Sequence, residues 1–86
     1  MKIKPTTKVV LHSKPGCHLC EQMKAQIELA GCSELYQLEV VNIEDDPVLL
    51  SKYQYEIPVL VINGVEVFRY RVRAEEFKNY LVALAD

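Results

Sequence analysis

The sequence lacks the long runs that would direct a protein of this size to a membrane or to nucleic acid. No apolar stretch approaches the roughly 18 residues that a membrane-spanning helix needs, and Met1 to Lys8 lack the apolar core of a signal peptide. The 10 Lys and Arg residues are scattered among 12 Asp and Glu, which gives a formal net charge of -2 without a basic run. We therefore expect a cytoplasmic protein that binds neither nucleic acid nor membranes.

Cysteine is also scarce. Three cysteines cannot form a closed disulfide framework. Cys17 and Cys20 stand close together, and a disulfide across so short a loop adds little stability in the chain-entropy picture. In a reducing compartment such a pair indicates redox catalysis or metal binding rather than a structural disulfide.

The rest of the composition is typical of a compact protein. Half of the 86 residues are apolar, which suffices for a single hydrophobic core. We predict one domain over residues 1–86, with residues 1–7 as a polar lead-in, and we expect the protein to act as a monomer.

Hydrophobic periodicity divides the chain into strands and helices. Apolar runs rich in β-branched residues predict strands, and apolar positions three and four residues apart predict helices. The predicted strands cover residues 8–12, 35–43, 57–62 and 65–72, and the predicted helices cover residues 17–30, 47–53 and 73–85. This order indicates an α/β fold with a parallel βαβ unit, followed by an antiparallel pair and a closing helix.

Local signals support three of these elements. Asp46 followed by Pro47 is typical of an N-cap and the first residue of a helix. The Asn63-Gly64 pair between two apolar runs predicts a tight hairpin, because both residues accept a positive φ. In the closing helix, the apolar residues predicted to share one face are Phe77, Tyr80, Leu81 and Leu84.

The segment from Ser13 to Cys20 carries the most specific chemistry. Pro15-Gly16 predicts a turn, and the helix that follows has Cys17 in its first turn, where free N–H groups and the helix dipole favour a thiolate. Cys20 begins the buried stripe of the same helix. We predict that Cys17 attacks a disulfide and that Cys20 resolves the mixed disulfide. The alternatives are a zinc site and two idle core thiols.

Two basic residues lie near this pair: Lys14 precedes it, and His18 stands between the two cysteines. Lys14 could stabilise the Cys17 thiolate or the carboxylate of a thiol cosubstrate, and a protonated His18 would favour the reduced, anionic form. Each could equally be a solvated side chain. His12, at the end of the first strand, is interpreted as a hydrogen-bonded core or edge histidine.

The Ile57-Pro58 step opens the third predicted strand. An X-Pro bond at such a position can be cis, and next to the paired cysteines we predict that it is. A proline facing the sulfurs would leave the amide and carbonyl of Ile57 free to pair with an extended thiol peptide.

The remaining candidate residues are a cysteine and three arginines. Cys32 follows Gly31 and is predicted to pack back on the last turn of the first helix, with a regulatory thiol or a third metal ligand as alternatives. Arg69, Arg71 and Arg73 alternate with apolar residues along the fourth predicted strand. They form either a solvated side of that strand or a docking surface for an acidic peptide.

Taken together, these motifs resemble the glutaredoxin-like branch of the thioredoxin superfamily. The resemblance rests on Ser13-Lys14-Pro15-Gly16-Cys17-His18-Leu19-Cys20 after a strand, on Ile57-Pro58-Val59 before a hairpin, and on the closing helix. It covers the chain from about Lys8 onward. It implies a thioredoxin-like fold, β-α-β-α-β-β-α, with three helices and a four-stranded mixed sheet that holds the active cysteine opposite a cis-proline.

The resemblance also implies an activity. A glutaredoxin-like enzyme would use Cys17 and Cys20 as catalytic residues, in electron transport and cell redox homeostasis, and Lys14 matches the lysine common in glutaredoxins. From their positions around the pair, we predict Lys14, His18, Ile57 and Pro58 as the substrate-binding residues. Such an enzyme would need no resident cofactor or metal, and its substrates would be disulfide-containing proteins or small thiols.

The sequence departs from glutaredoxins at two places. His18-Leu19 replaces the usual Pro-Tyr between the cysteines, and residues 72–76 lack the Gly-Gly-Asp type of turn that holds the γ-glutamyl end of glutathione in that family. Glutathione therefore remains only a candidate cosubstrate. The alternative functions are an iron-sulfur or metal carrier that uses Cys17 and Cys20, and a non-catalytic interaction module.

Overall fold

A computed structural model describes residues 7–85 of the chain. Within these residues the elements are β1 (Thr7–Ser13), α1 (His18–Leu29), β2 (Tyr36–Asn42), α2 (Pro47–Tyr53), β3 (Val59–Ile62), β4 (Val65–Arg69) and α3 (Ala74–Ala85), with short 3₁₀ turns at Ser33–Leu35 and Ile43–Asp45. The predicted order β-α-β-α-β-β-α is confirmed. Thr7 belongs to β1 rather than to the predicted lead-in, and residues 1–6 lie outside the described residues.

The four strands form one mixed sheet in the order β2-β1-β3-β4. β1 pairs in parallel with β2, whereas the β1–β3 and β3–β4 pairs are antiparallel. The central position of β1 matters for function, because the segment after it emerges between β2 on one side and β3 on the other.

Helices cover both faces of this sheet. Val9 and Leu11 of β1 pack with α1 and α3 residues such as Met23 and Phe77 in the larger core cluster. On the other face, Val59 packs with Tyr53 of α2 in a smaller cluster that also holds Cys20. The alternation of side chains along the central strands supplies both cores.

The predicted start of α2 and the predicted hairpin turn are both confirmed. Asp46 caps α2, because its side chain accepts a hydrogen bond from the Val48 amide at 2.9 Å, and Pro47 is the first helical residue. In the β3–β4 hairpin, Asn63 has φ 51° and Gly64 has φ 83°. These are the backbone angles that a two-residue turn between twisted strands requires.

The predicted fourth strand is too long. β4 ends at Arg69, because Tyr70 adopts a left-handed backbone with φ 70° and donates its amide to the Pro58 carbonyl at 2.8 Å rather than extending the sheet. Arg71 and Arg73 therefore lie in the connection to α3. The predicted alternation of three arginines along one strand is wrong.

The predicted apolar face of α3 is present, but its residues are not equally buried. Phe77 and Leu81 are buried and Tyr80 packs against the same core, but Leu84 remains 43% exposed. It lies in the last turn of the helix, beyond the described core residues of α3. No helix within residues 7–85 combines the length and apolar character needed to cross a membrane.

Candidate active site

The loop between β1 and α1 carries the paired cysteines. Gly16 has φ 78°, a left-handed conformation that costs other residues roughly 1–2 kcal/mol. Cys17 then takes an extended backbone and serves as the N-cap of α1. The turn thus places Cys17 immediately before the first helical residue, His18, so the helix begins one residue later than predicted.

The two cysteines form a disulfide with their Cα atoms 5.2 Å apart. The backbone amide of Cys20 donates a hydrogen bond to the Cys17 sulfur at 3.1 Å. This amide is one of the N–H groups that a helix start leaves without an intrahelical partner. An N–H group directed at the Cys17 sulfur would also stabilise negative charge on it after reduction.

The two cysteines have unequal surroundings. Cys20 is only 3% exposed and packs with Ile43, Tyr53 and Ile57, whereas Cys17 is partly exposed at the edge of the same cluster. An external disulfide can therefore approach Cys17 more readily than Cys20.

The Ile57-Pro58 bond is cis, as predicted. Pro58 is fully buried, and its carbonyl accepts the hydrogen bond from Tyr70 described above. The amide and carbonyl of Ile57 take part in no backbone hydrogen bond within residues 7–85. Ile57 packs in the same cluster as both cysteines, so its unpaired backbone belongs to the region around the disulfide.

A cavity of about 300 Å³ lies on the other side of the loop, toward β2. Its lining includes Lys14 and Lys24 as cations, Glu21 as an anion, Asn42 of β2, and Cys20. Since Ile57 and Pro58 precede β3, Lys14 lies on the opposite side of the loop from them. His18 is exposed at the first position of α1. The substrate-binding roles of Lys14, His18, Ile57 and Pro58 stay predictions.

His12 is more constrained than the sequence indicated. It is 8% exposed, and its Nδ1 atom is buried without a hydrogen-bond partner. Its ring packs on Tyr53 of α2 with the centroids 4.7 Å apart. Burial lowers the pKa of His12, while the Val59 backbone and the Glu66 carboxylate oppose this effect. The interpretation of His12 as a core histidine agrees with its burial, whereas its Nδ1 atom lacks the hydrogen bond expected of a satisfied core histidine.

Tyr53 connects His12 to a charged group that sequence reasoning missed. The Tyr53 hydroxyl donates to Glu66 of β4 at 2.5 Å, and Lys52 lies 3.4 Å from the same carboxylate oxygen. The hydrogen bond from Tyr53 is the main cause that lowers the pKa of Glu66. Burial, followed by this hydrogen bond, raises the pKa of Tyr53. No local motif marks these residues, because they come from different elements.

Cys32 lies apart from this site. It is 2% exposed in the larger core cluster, as its predicted packing role requires, and burial raises the pKa of its thiol. Within residues 7–85, no three His, Cys, Asp or Glu side chains come together as a metal site would require. The alternative of an iron-sulfur or metal carrier that uses Cys17 and Cys20 stays a prediction, and bound iron after anaerobic purification is the observation that would support it.

The mixed sheet, the helices on both its faces, and a C-x-x-C pair at a helix start beside a cis-proline define a thioredoxin-fold protein. The particular family follows from the sequence profile of the Glutaredoxin-like domain (DUF836), which matches residues 8–82. The chain belongs to this family. No curated protein matches it significantly.

Solved structures share this fold. The X. campestris structural-genomics protein XcR50 is 27% identical, with a TM-score of 0.74 over 87% of this chain and 96% of that one. Protein Ne2328 from Nitrosomonas europaea is 29% identical, with a TM-score of 0.74 over 93% and 95% of the two chains. Fasciola hepatica thioredoxin, 20% identical with a TM-score of 0.63 over 93% of this chain and 82% of its own, shows similarity of fold alone.

Proposed function

We propose that this protein is a thiol-disulfide oxidoreductase that reduces or exchanges protein disulfides and mixed disulfides. The observation that carries the proposal is the environment of Cys17: its sulfur caps α1, accepts the Cys20 amide hydrogen bond, and lies in the same cluster as Ile57, whose backbone is unpaired. These features support an activated sulfur at Cys17 and a strand-like peptide-binding surface beside it.

The reaction would proceed by two exchanges. The Cys17 thiolate attacks one sulfur of the substrate disulfide, a mixed disulfide forms, and the other substrate sulfur leaves as a thiolate that takes a proton from solvent. Cys20 then loses its proton and attacks the Cys17 sulfur. The Cys17–Cys20 disulfide forms, the second substrate thiol leaves, and two electrons have passed to the substrate.

The Ile57 backbone would orient the substrate. An extended peptide could pair with its free amide and carbonyl, as an added strand pairs with a sheet edge. Lys14 and His18 would influence the charge of the thiolates, with Lys14 acting from the cavity that Cys20 also lines. The proposal needs no resident cofactor.

Reduction of the Cys17–Cys20 disulfide requires an external thiol reductant, with glutathione as a candidate cosubstrate. We place the reaction in the cytoplasm, where disulfides are kept reduced and a catalytic pair can cycle. We further propose that the protein acts as a monomer.

The dependence of alkylation on pH tests the activation of Cys17. In a Cys20→Ala/Cys32→Ala variant, Cys17 is the remaining cysteine. We expect its alkylation rate to be half-maximal well below the pKa of a free thiol, about 8.5. A rate that follows pH as a small free thiol does, measured in parallel, would contradict the activated nucleophile.

A trapping experiment tests the division of roles. Cys20→Ala should hold substrate proteins as mixed disulfides on Cys17, and a reductant should release them. The matched Cys17→Ser variant keeps only buried Cys20 in the pair and should hold none. Equal trapping by both variants would contradict the assignment of Cys17 as the attacking residue.

A further inference from the structure

The connection between β4 and α3 carries two arginines beside a groove. Arg71 and Arg73 are both exposed, and neither forms an ion pair within residues 7–85. Arg69 differs, because it contacts Glu56 and Glu66. The end of β4 is therefore neutralised within the molecule, whereas the connection that follows offers two cations to solvent.

The groove has a volume of about 470 Å³ and runs between this connection and α1. Gln22, Ala25 and Gln26 form its helical wall, and the buried residues Met23 and Val72 also line it. Among residues 7–85, the charged residues that line it are Arg71 and Arg73, in a chain with a formal net charge of -2. A local cationic groove on an acidic protein favours a partner with carboxylates at this place.

The backbone around the groove is held in place from both ends. At the N-terminal end, Tyr70 is fixed by the hydrogen bond from its amide to the Pro58 carbonyl at 2.8 Å. At the other end, Gln26 of α1 accepts a hydrogen bond from the Ala74 amide at 2.9 Å, and Glu76 accepts one from the Arg73 amide at 3.1 Å. The arginine side chains thus extend from an anchored segment.

The same contacts connect the groove to the disulfide. Arg71 follows Tyr70, which touches Pro58, and Pro58 follows the unpaired backbone of Ile57. Along α1, Gln22 is five residues after Cys17, or about 7.5 Å along the helix axis. An extended peptide covers that distance in about two to three residues.

We infer that Arg71 and Arg73 bind an acidic segment of the substrate protein, located about two to three residues from the cysteine that Cys17 attacks. The inference rests on the proposed exchange reaction and names its substrate class. The carboxylates would pair with exposed arginines, so the preference depends on ionic strength. Screening acts over about 8 Å at physiological salt.

The test compares disulfide peptides that differ only in charge. The second and third residues on both sides of each cysteine are Glu, Gln or Lys, and the reduced protein reacts with each peptide at low and at high salt. We expect kcat/KM to fall in the order Glu, Gln, Lys, with a smaller spread at high salt. In an Arg71→Gln/Arg73→Gln variant, kcat/KM for the Glu peptide should fall about three- to tenfold.

Lys78→Gln is the matched control. It also removes an exposed positive charge, on α3, but Lys78 does not line the groove. This variant should keep the preference for the Glu peptide. An uncharged small disulfide should be reduced equally by all three proteins, which shows that the substitutions leave the fold and the cysteines intact.

The outcomes separate this inference from the proposed function. If the small disulfide is reduced but the Glu and Gln peptides react equally, the acidic-segment inference is wrong and the oxidoreductase proposal stands. If the arginine dependence occurs only with a glutathionylated Gln peptide, the arginines bind glutathione and the inference is again wrong.

If no disulfide is reduced, the proposed function fails. Fluorescence anisotropy with cysteine-free Glu and Gln peptides then decides the binding question without turnover. Preferential binding of the Glu peptide that the double arginine variant loses supports the acidic groove, and equal binding of both peptides rejects it.

Discussion

His12 has surroundings that make its protonation unfavourable in the folded protein. Its Nδ1 has no partner, and the groups near its ring are Tyr53 and Lys52 of α2, Glu66 of β4, Glu39 of β2 and the backbone of Val59. Burial lowers the pKa of His12 below its ordinary value of 6.5 despite the nearby carboxylates. A proton therefore binds more tightly to the unfolded chain than to the folded one.

The pH dependence of stability follows from this difference. The contribution of neutral His12 is fully present above about pH 6.5, and it is lost as the pH falls through the lower pKa of the folded state. We expect the free energy of unfolding, measured by urea denaturation, to decrease from pH 7.5 to pH 5, and to decrease less in His12→Phe. A His18→Gln variant removes the exposed imidazole and should behave as wild type. An unchanged decrease in His12→Phe would contradict this role of His12.

At the scale of elements, α2 depends on its first residues. α2 spans 7 residues, a length that is unstable in isolation, and it places Tyr53 against His12. The Asp46 side chain accepts the Val48 amide, one of the N–H groups that a helix start leaves unpaired.

Removal of this cap should weaken the protein. We expect Asp46→Ala to lower the free energy of unfolding by about 1 kcal/mol, the usual value of an N-cap side chain. Asp45→Ala removes the same charge one residue earlier, where the side chain makes no hydrogen bond within the described part of the chain. A chemical denaturation series on both variants makes the comparison. Equal losses would show that charge rather than capping is responsible.

The apolar face of the closing helix α3 contains both buried and exposed residues. Phe77 is fully buried and packs edge-on against Tyr36 with the ring centroids 5.3 Å apart. We expect Phe77→Ala to cost about 3–5 kcal/mol of stability. Leu84→Ala, also an apolar truncation in α3 but at an exposed position, should cost less than about 0.5 kcal/mol. The midpoints of urea unfolding provide the measurement, and a large loss in Leu84→Ala would show that Leu84 also contributes to the core.

Over the whole molecule, the sequence predicted the features that local chemistry determines. The Asp46-Pro47 helix start, the Asn63-Gly64 turn and the helix beginning at the paired cysteines each depend on a few adjacent residues, and each is present. Together with the order of strands and helices, they predicted an α/β fold, and the resemblance to the glutaredoxin-like branch implied the thioredoxin-like fold that the structure has.

Features that depend on distant contacts were not predictable from these patterns. The end of β4 is set by a hydrogen bond from Tyr70 to Pro58, 12 residues earlier, and the strand prediction therefore continued too far. The groove between α1 and the arginine connection, the unpaired Nδ1 of His12 and the contact between Tyr53 and Glu66 likewise arise only when separate elements pack.

The length of α1 has a consequence for the order of disulfide exchange. This helix has 12 residues, so it is about 18 Å long, and Cys17 precedes it while Cys32 follows it in a different core cluster. Two cysteines must have Cα atoms within about 7 Å to form a disulfide. Cys32 is thus out of reach of Cys17, and in the proposed reaction Cys20 would be the cysteine of this chain that resolves a mixed disulfide on Cys17. The buried thiol of Cys32 would therefore not compete with Cys20 for a mixed disulfide on Cys17.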